Sequence, residues 1–232
     1  MRKRIKTAYG AFLAARFEIN VLGRREGYMR QIDLDELARV AANSREDLWA
    51  AAKSAGLENP LIILHWTAGW YDNYYPEDYH IEIGEHGEIL LSTNDLSEVL
   101  PHTWRLNRGT VGVSMCCCAC ATTEDLGEAP PTNDQIEIMA QIIATLCAEL
   151  WLTISPKNVL THGEAGDDTD LYDDDELYGP QNDCERWDLQ FLGTDESPEY
   201  TSDYSDPSTG GNVLRGKASW YRQQWNRKAG AR

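Results

Sequence analysis

The sequence predicts an α/β protein: a mixed, mainly parallel central sheet flanked by helices, with a helical N-terminal extension. Three observations point that way. Leu61-Ile62-Ile63-Leu64 is a run of four large aliphatics, which reads as a strand covered on both faces. Asn158-Val159-Leu160-Thr161-His162-Gly163 repeats the pattern, a short apolar run ending on a histidine and a glycine. Between them lie a second buried strand, from Val111 to Met115, and an amphipathic helix. The helix places Ile136, Met139, Ala140, Ile143, Leu146, Cys147 and Leu150 at three- and four-residue steps. Strand, helix and strand make a βαβ unit, whose strands are parallel.

Taken in order, residues 1–56 read as a helical preface. Ala8–Leu22 is rich in Ala, Phe and Leu, and Asp33–Ala42 carries Leu34, Leu37, Val40 and Ala41 at helical spacing. Ser44 reads as the cap of a further helix, with Asp47 three residues on, and Gly56 ends it. The main domain is expected over residues 57–195. Its first strand closes on His65-Trp66-Thr67-Ala68-Gly69, where glycine lets the chain turn away. A lone histidine at a strand end is usually a satisfied core residue. Two strands delivering imidazoles to one sheet edge suggest a metal.

The aromatic stretch Trp70, Tyr71, Tyr74, Tyr75 and Pro76 follows, either a wall for sugar or peptide or a loop packing its own rings. Tyr79-His80-Ile81-Glu82-Ile83 alternates as a strand, and Glu85-His86-Gly87-Glu88 turns it into Ile89-Leu90-Leu91, a hairpin. The strand at Val111 is expected to run on through Cys116-Cys117-Cys118-Ala119-Cys120, its thiols free and mostly buried because neighbours on a strand face opposite ways. Cys117-x-x-Cys120 has zinc spacing but no matching second pair, which disfavours a structural zinc. Asn133 is the expected cap of the amphipathic helix. Asp167–Glu176 holds seven acids in ten residues without the spacing of an EF-hand, so the stretch to Glu185 reads as a solvated flap. A tail over residues 196–232 should hold a last helix from Val213 to Trp225.

Charge narrows the partners. A formal net charge of -17 over 232 residues argues against nucleic acid and against anionic membranes. Arg16 and Glu18 interrupt any signal-peptide core, and no stretch is long and apolar enough to span a bilayer, so a cytoplasmic site of synthesis is expected.

Five separated motifs, in order, resemble the zinc-dependent N-acetylmuramoyl-L-alanine amidases, the superfamily of phage lytic amidases and peptidoglycan recognition proteins. They are His65-Trp66-Thr67-Ala68-Gly69, Tyr79-His80-Ile81 with its hairpin, Asn107 with Thr110-Val111-Gly112-Val113, Thr161-His162-Gly163-Glu164, and Arg186-Trp187-Asp188. The resemblance covers roughly residues 57–192. It implies one Zn2+ held by His65, His162 and Asp188, with Cys184 an outside candidate for the third ligand. It implies that Tyr79 and Arg186 stabilise an oxyanion, Arg186 standing where members usually have lysine. Trp66, Thr67, Trp70 and Asn107 become weaker candidates for substrate contact. Ser114 stands where some members have a glutamate that assists the water, which leaves Tyr79, Glu82, Glu164 or hydroxide on the zinc as the base. The implied reaction is hydrolysis of the amide between N-acetylmuramic acid and L-alanine in peptidoglycan, by an endolysin-like protein expected to be a monomer. The alternative is a non-catalytic peptidoglycan-binding or virion protein of the same fold.

Overall fold

A computed structural model describes residues 29–167 and 187–230. Strands β1 (Arg30–Ile32), β2 (Leu61–Trp66), β3 (Ile81–Ile83), β4 (Ile89–Leu91), β5 (Thr110–Met115) and β6 (Val159–Thr161) form one sheet, in the order β1-β4-β3-β5-β2-β6. The β3–β5, β5–β2 and β2–β6 pairs are parallel, and β1–β4 and β3–β4 are antiparallel. The fold is therefore the mixed, mainly parallel α/β sheet that the sequence predicts. Among the described residues the helices are α1 (Leu34–Ser54), α2 (Asn133–Glu149), α3 (His162–Asp167) and α4 (Gly210–Gly230).

Alternation along the strands divides the sheet into two unlike faces. Ile62, Leu64, Ile81, Ile83, Val111 and Val113 point into the main core, where Leu37 and Leu48 of α1, Ile136 and Ile143 of α2, and Leu214 and Ala218 of α4 cover them. Among the described residues the other face carries only a small apolar cluster, Leu61, Ile63, Leu106, Leu160 and Ala165. The rest of that face is buried and polar: His65, His80, Glu82, Thr110 and Ser114. Polar side chains stay buried only where partners satisfy them, so this face is specified by hydrogen bonds rather than by volume.

Several elements differ from expectation. The first strand, β1, lies in the segment expected to be wholly helical and pairs with β4 at the sheet edge. The two helices expected between Asp33 and Gly56 are one, capped by Asp33, whose carboxylate accepts from Glu36 N at 2.8 Å. Ser44 does not cap. Its hydroxyl donates to Val40 O at 3.0 Å and accepts from Leu96 N at 2.9 Å, so it is satisfied in mid-helix. Thr132, not Asn133, caps α2, in a reciprocal box with Gln135. Gln135 is fully buried, and its amide nitrogen donates to Ile83 O and Cys116 O, tying α2 to the ends of β3 and β5. Helix α4 starts three residues earlier than expected and runs five further. The acidic stretch beyond Asp167, the Ala8–Leu22 segment, Cys184 and Arg186 lie outside the described residues.

Among the described residues the cysteines are unpaired, but they do not form one strand. β5 stops at Met115, and Cys118 and Cys120 adopt left-handed backbone, with φ of 69° and 62°. The chain crosses instead beside the β2 exit, where Gly69 N donates to Cys117 O at 3.0 Å and Cys117 N to the Thr67 hydroxyl at 3.2 Å. Cys116, Cys117, Cys118 and Cys147 are buried and Cys120 is exposed. At that exit the left-handed residue is Ala68, with φ of 51°, rather than Gly69.

Candidate metal centre

Three side chains converge at the C-terminal edge of the parallel strands. His65 is the fifth residue of β2 and fully buried, while His162 follows β6 and opens α3. Asp188 lies in a turn closed by Gln190 N donating to Trp187 O at 3.0 Å. One ligand atom from each lies within 4.8 Å of the others. Asp188 Oδ2 is 3.4 Å from His65 Nδ1 and 3.4 Å from His162 Nδ1, and the two imidazole centroids are 4.7 Å apart.

Two ring nitrogens here, His65 Nδ1 and His162 Nε2, are buried and make no hydrogen bond. Buried polar atoms are rarely left bare, and two imidazoles with a carboxylate are a donor set suited to catalytic zinc. Electrostatics prepares the same set. Burial pushes the His65 imidazole down to about 4, with Asp188 only partly opposing it, so the ring is neutral and free to donate a lone pair. Burial also works against ionisation of Asp188, but the two imidazoles outweigh it and hold the carboxyl well below the usual carboxylate range.

The tautomer of His65 is set from behind by His102, which sequence reasoning passed over. The Thr110 hydroxyl donates to Leu106 O and therefore accepts from His102 Nε2 at 3.0 Å. That leaves His102 Nδ1 as an acceptor. His65 Nε2 lies 3.3 Å from it and 3.4 Å from the Thr103 hydroxyl, which itself donates to His102 Nδ1 at 2.9 Å, so His65 carries its proton on Nε2 and turns a bare Nδ1 toward Asp188. Gly112 makes room: a Cβ there would meet His102 Cγ at 2.6 Å. His80 has a separate, structural role, accepting from Gly112 N at 3.0 Å and donating to Glu98 O at 2.9 Å.

The other candidates are distributed unevenly. Tyr79 precedes β3 rather than opening it, and its ring lies 5.1 Å from that of His65. Burial first, then the charges of Asp188, Asp78 and Glu82, raise its phenol well above the usual value, while a hydrogen bond with Ser114 acts the other way. Glu82, Ser114 and His65 share one row across β3, β5 and β2. Both Glu82 oxygens nevertheless accept from Tyr75 N, at 2.8 and 2.9 Å, so this carboxylate anchors the aromatic loop. Glu164 is bound by Arg215 and by Thr161 N. Trp66 is in the core, edge-on to Trp187 at 5.0 Å and 5% exposed, with no free face for a ligand. Thr67 braces Cys117, Trp70 is 47% exposed, and Asn107 accepts from Thr103 N at 2.7 Å, shaping the loop that carries His102.

Residues 56–175, just over half of the chain, match the N-acetylmuramoyl-L-alanine amidase family. The chain belongs to that family. At the level of the family its activity is that of a peptidoglycan amidase. The matched segment contains His65 and His162, and Asp188 lies beyond its end. No characterised protein and no solved structure matched the chain. Among the described residues no helix is long and apolar enough to cross a membrane.

Proposed function

We propose that the protein is a zinc-dependent amidase that cleaves the bond between N-acetylmuramic acid and L-alanine, acting as an endolysin-like lytic enzyme. The observation that carries this reading is the bare buried Nδ1 of His65, 3.4 Å from the Asp188 carboxylate, in a group with His162 whose ligand atoms lie within 4.8 Å of one another. These three residues would hold the ion. Bound zinc supplies Lewis-acid polarisation of the scissile carbonyl and acidification of water to a pKa of about 7. Tyr79, protonated at neutral pH and beside His65, donates its hydroxyl proton in a hydrogen bond to the oxygen that gains charge. Arg186, two residues before Asp188 in sequence, is assigned the same role. Ser114 offers no carboxylate, and Glu82 and Glu164 are held by other groups, so the chain supplies no separate glutamate base among these candidates. Exposed Trp70, Tyr74 and Tyr75 offer apolar faces on which a sugar or stem peptide can rest.

The test is zinc content together with release of stem peptide from purified sacculi. Wild type should bind one zinc and release peptide, and His162→Ala should lose both while staying folded. Tyr79→Phe should keep the zinc and lose about a hundredfold in kcat, the usual cost of one such donor. Full zinc occupancy in His162→Ala would sink the ligand assignment, and an unchanged kcat in Tyr79→Phe would remove the tyrosine from the mechanism.

A further inference from the structure

We infer that helix α4, outside the segment matched by the family, positions two of the three ligands, with Arg215 and the Gly210-Gly211 pair as its positioning residues. The inference rests on the metal reading above and concerns how the centre is held together. His162 opens α3 directly after Thr161, which caps that helix: Glu164 N donates to the Thr161 hydroxyl at 3.1 Å, and Thr161 N donates to Glu164 Oε2 at 2.8 Å. Such a box fixes the turn only if its carboxylate is itself oriented. Arg215 orients it with two parallel bonds of 2.7 Å to Glu164, and the same guanidinium donates to Val159 O of β6 at 2.9 Å. Asn212 Oδ1 accepts another of its protons at 2.6 Å. The two charged side chains are 6% and 9% exposed, so the fork is held nearly dry. One residue of α4 thus grips the chain both before and after His162.

The first turn of the same helix holds Asp188. Gly210 N donates to Gln190 O at 3.1 Å, two residues past the ligand. A Cβ on Gly210 would lie 2.1 Å from Leu189 O, so no other residue allows this approach. A Cβ on Gly211 would lie 2.9 Å from both Thr161 Cγ2 and Glu164 Oε1. The two glycines are therefore wedged between the segment that delivers His162 and the segment that delivers Asp188. None of these groups touches the ligand atoms. They act by fixing where the ligands stand, as outer-sphere partners of metal sites do.

The experiment measures zinc dissociation constants by chelator competition on the full chain, well below the unfolding temperature. Arg215→Met alone leaves Glu164 buried and unpaired, and can fail to fold. The double variant Arg215→Met/Glu164→Gln removes both charges, and Gly211→Ala keeps every hydrogen-bonding group while displacing the Glu164 carboxylate. Both should unfold close to the wild-type metal-free midpoint yet bind zinc about 10- to 100-fold more weakly. Arg215→Lys, which keeps the charge without the fork, should fall between them and wild type. Wild-type zinc affinity in the folded double variant and in Gly211→Ala overturns this inference and leaves the metal reading standing. Failure of the wild-type chain to bind zinc overturns the metal reading and this inference with it.

Discussion

Leu64 and His65 are neighbours in β2 and both are completely buried, yet they belong to different molecules in a physical sense. Leu64 faces the helices, where α1, α2 and α4 fill volume against a continuous apolar surface. His65 faces the opposite side, where five apolar residues make a minor cluster and the remaining burial is of imidazoles, hydroxyls and a carboxylate. The helix face can be altered and repacked in proportion to volume. The histidine face has no such tolerance, because its groups are held by specific hydrogen-bond partners, and a lost partner leaves a buried polar atom bare. One face supplies stability, and the other uses it to hold chemistry.

The largest effects should come from splitting that pair of neighbours. Leu64→Ala is expected to cost about 2–5 kcal/mol of unfolding free energy, as aliphatic truncations in filled cores do. Its zinc affinity should stay near wild type while the protein is folded. His65→Ala should abolish zinc binding at a smaller stability cost, since no large apolar volume is lost. Denaturant unfolding of the metal-free proteins and zinc titration of the folded ones separate the two quantities. Equal losses of affinity in the two variants would show that the faces are not independent.

The second test uses Glu82, the most buried acid of the histidine face. Burial pushes its carboxyl up to about 7 against the pull of Tyr75 N and the Cys116 thiol. In the unfolded chain it titrates near the ordinary glutamate value. Between roughly pH 4.5 and 7 the folded protein therefore holds a proton that the unfolded chain has released, so this group's contribution is full below the window and lost as pH rises through it. The loss is on the order of 3 kcal/mol at 1.36 kcal/mol per pKa unit. His65 and His80, pushed down to about 4 by burial, act in the opposite sense and gain stability as pH rises toward 6.5. The informative quantity is thus the difference between wild type and Glu82→Gln, which keeps an oxygen for Tyr75 N. It should favour the variant at pH 8 and shrink toward pH 4.5. A difference flat with pH would mean that Glu82 ionises normally inside the fold.

How much of this was legible in the sequence follows the same division. The apolar face declares itself, because volume and period are local: β2, β5, the β3–β4 hairpin and α2 were all readable from runs of a few residues. Two of the three clustered side chains, His65 and His162, stand out for a related reason, each ending such a run. The supporting groups could not be read this way. His102 stands in Pro101-His102-Thr103-Trp104, a stretch with no period, and its partners His65 and Thr110 become neighbours only in the folded sheet. Arg215 and Glu164 are 51 residues apart and look like ordinary surface charges until α4 docks. Ser44 misled for the converse reason, since serine favours caps until a distant group such as Leu96 N satisfies it mid-helix. β1 has three residues and carries no pattern long enough to register.

His102 gives the smallest effect and the finest probe, because it touches a proposed ligand without being one. His102→Phe preserves the ring's volume against Gly112 but removes the acceptor that keeps the His65 proton on Nε2. Among the described residues nothing else in that pocket replaces it fully: the Thr103 hydroxyl is 3.4 Å from His65 Nε2 and now lacks its own acceptor, so its proton competes for the same nitrogen. His65 then divides between tautomers, and only one of them leaves Nδ1 bare toward Asp188. Zinc affinity should fall about 10- to 100-fold, the range seen when an outer-sphere partner of a ligating histidine is lost. His102→Asn, whose side-chain oxygen can stand where Nδ1 stood, should recover part of it. A purely steric role predicts the reverse order, with the ring-preserving phenylalanine tolerated and the smaller asparagine costly. The ranking of these two variants by chelator competition therefore decides whether the histidine face is held by hydrogen bonds or by shape.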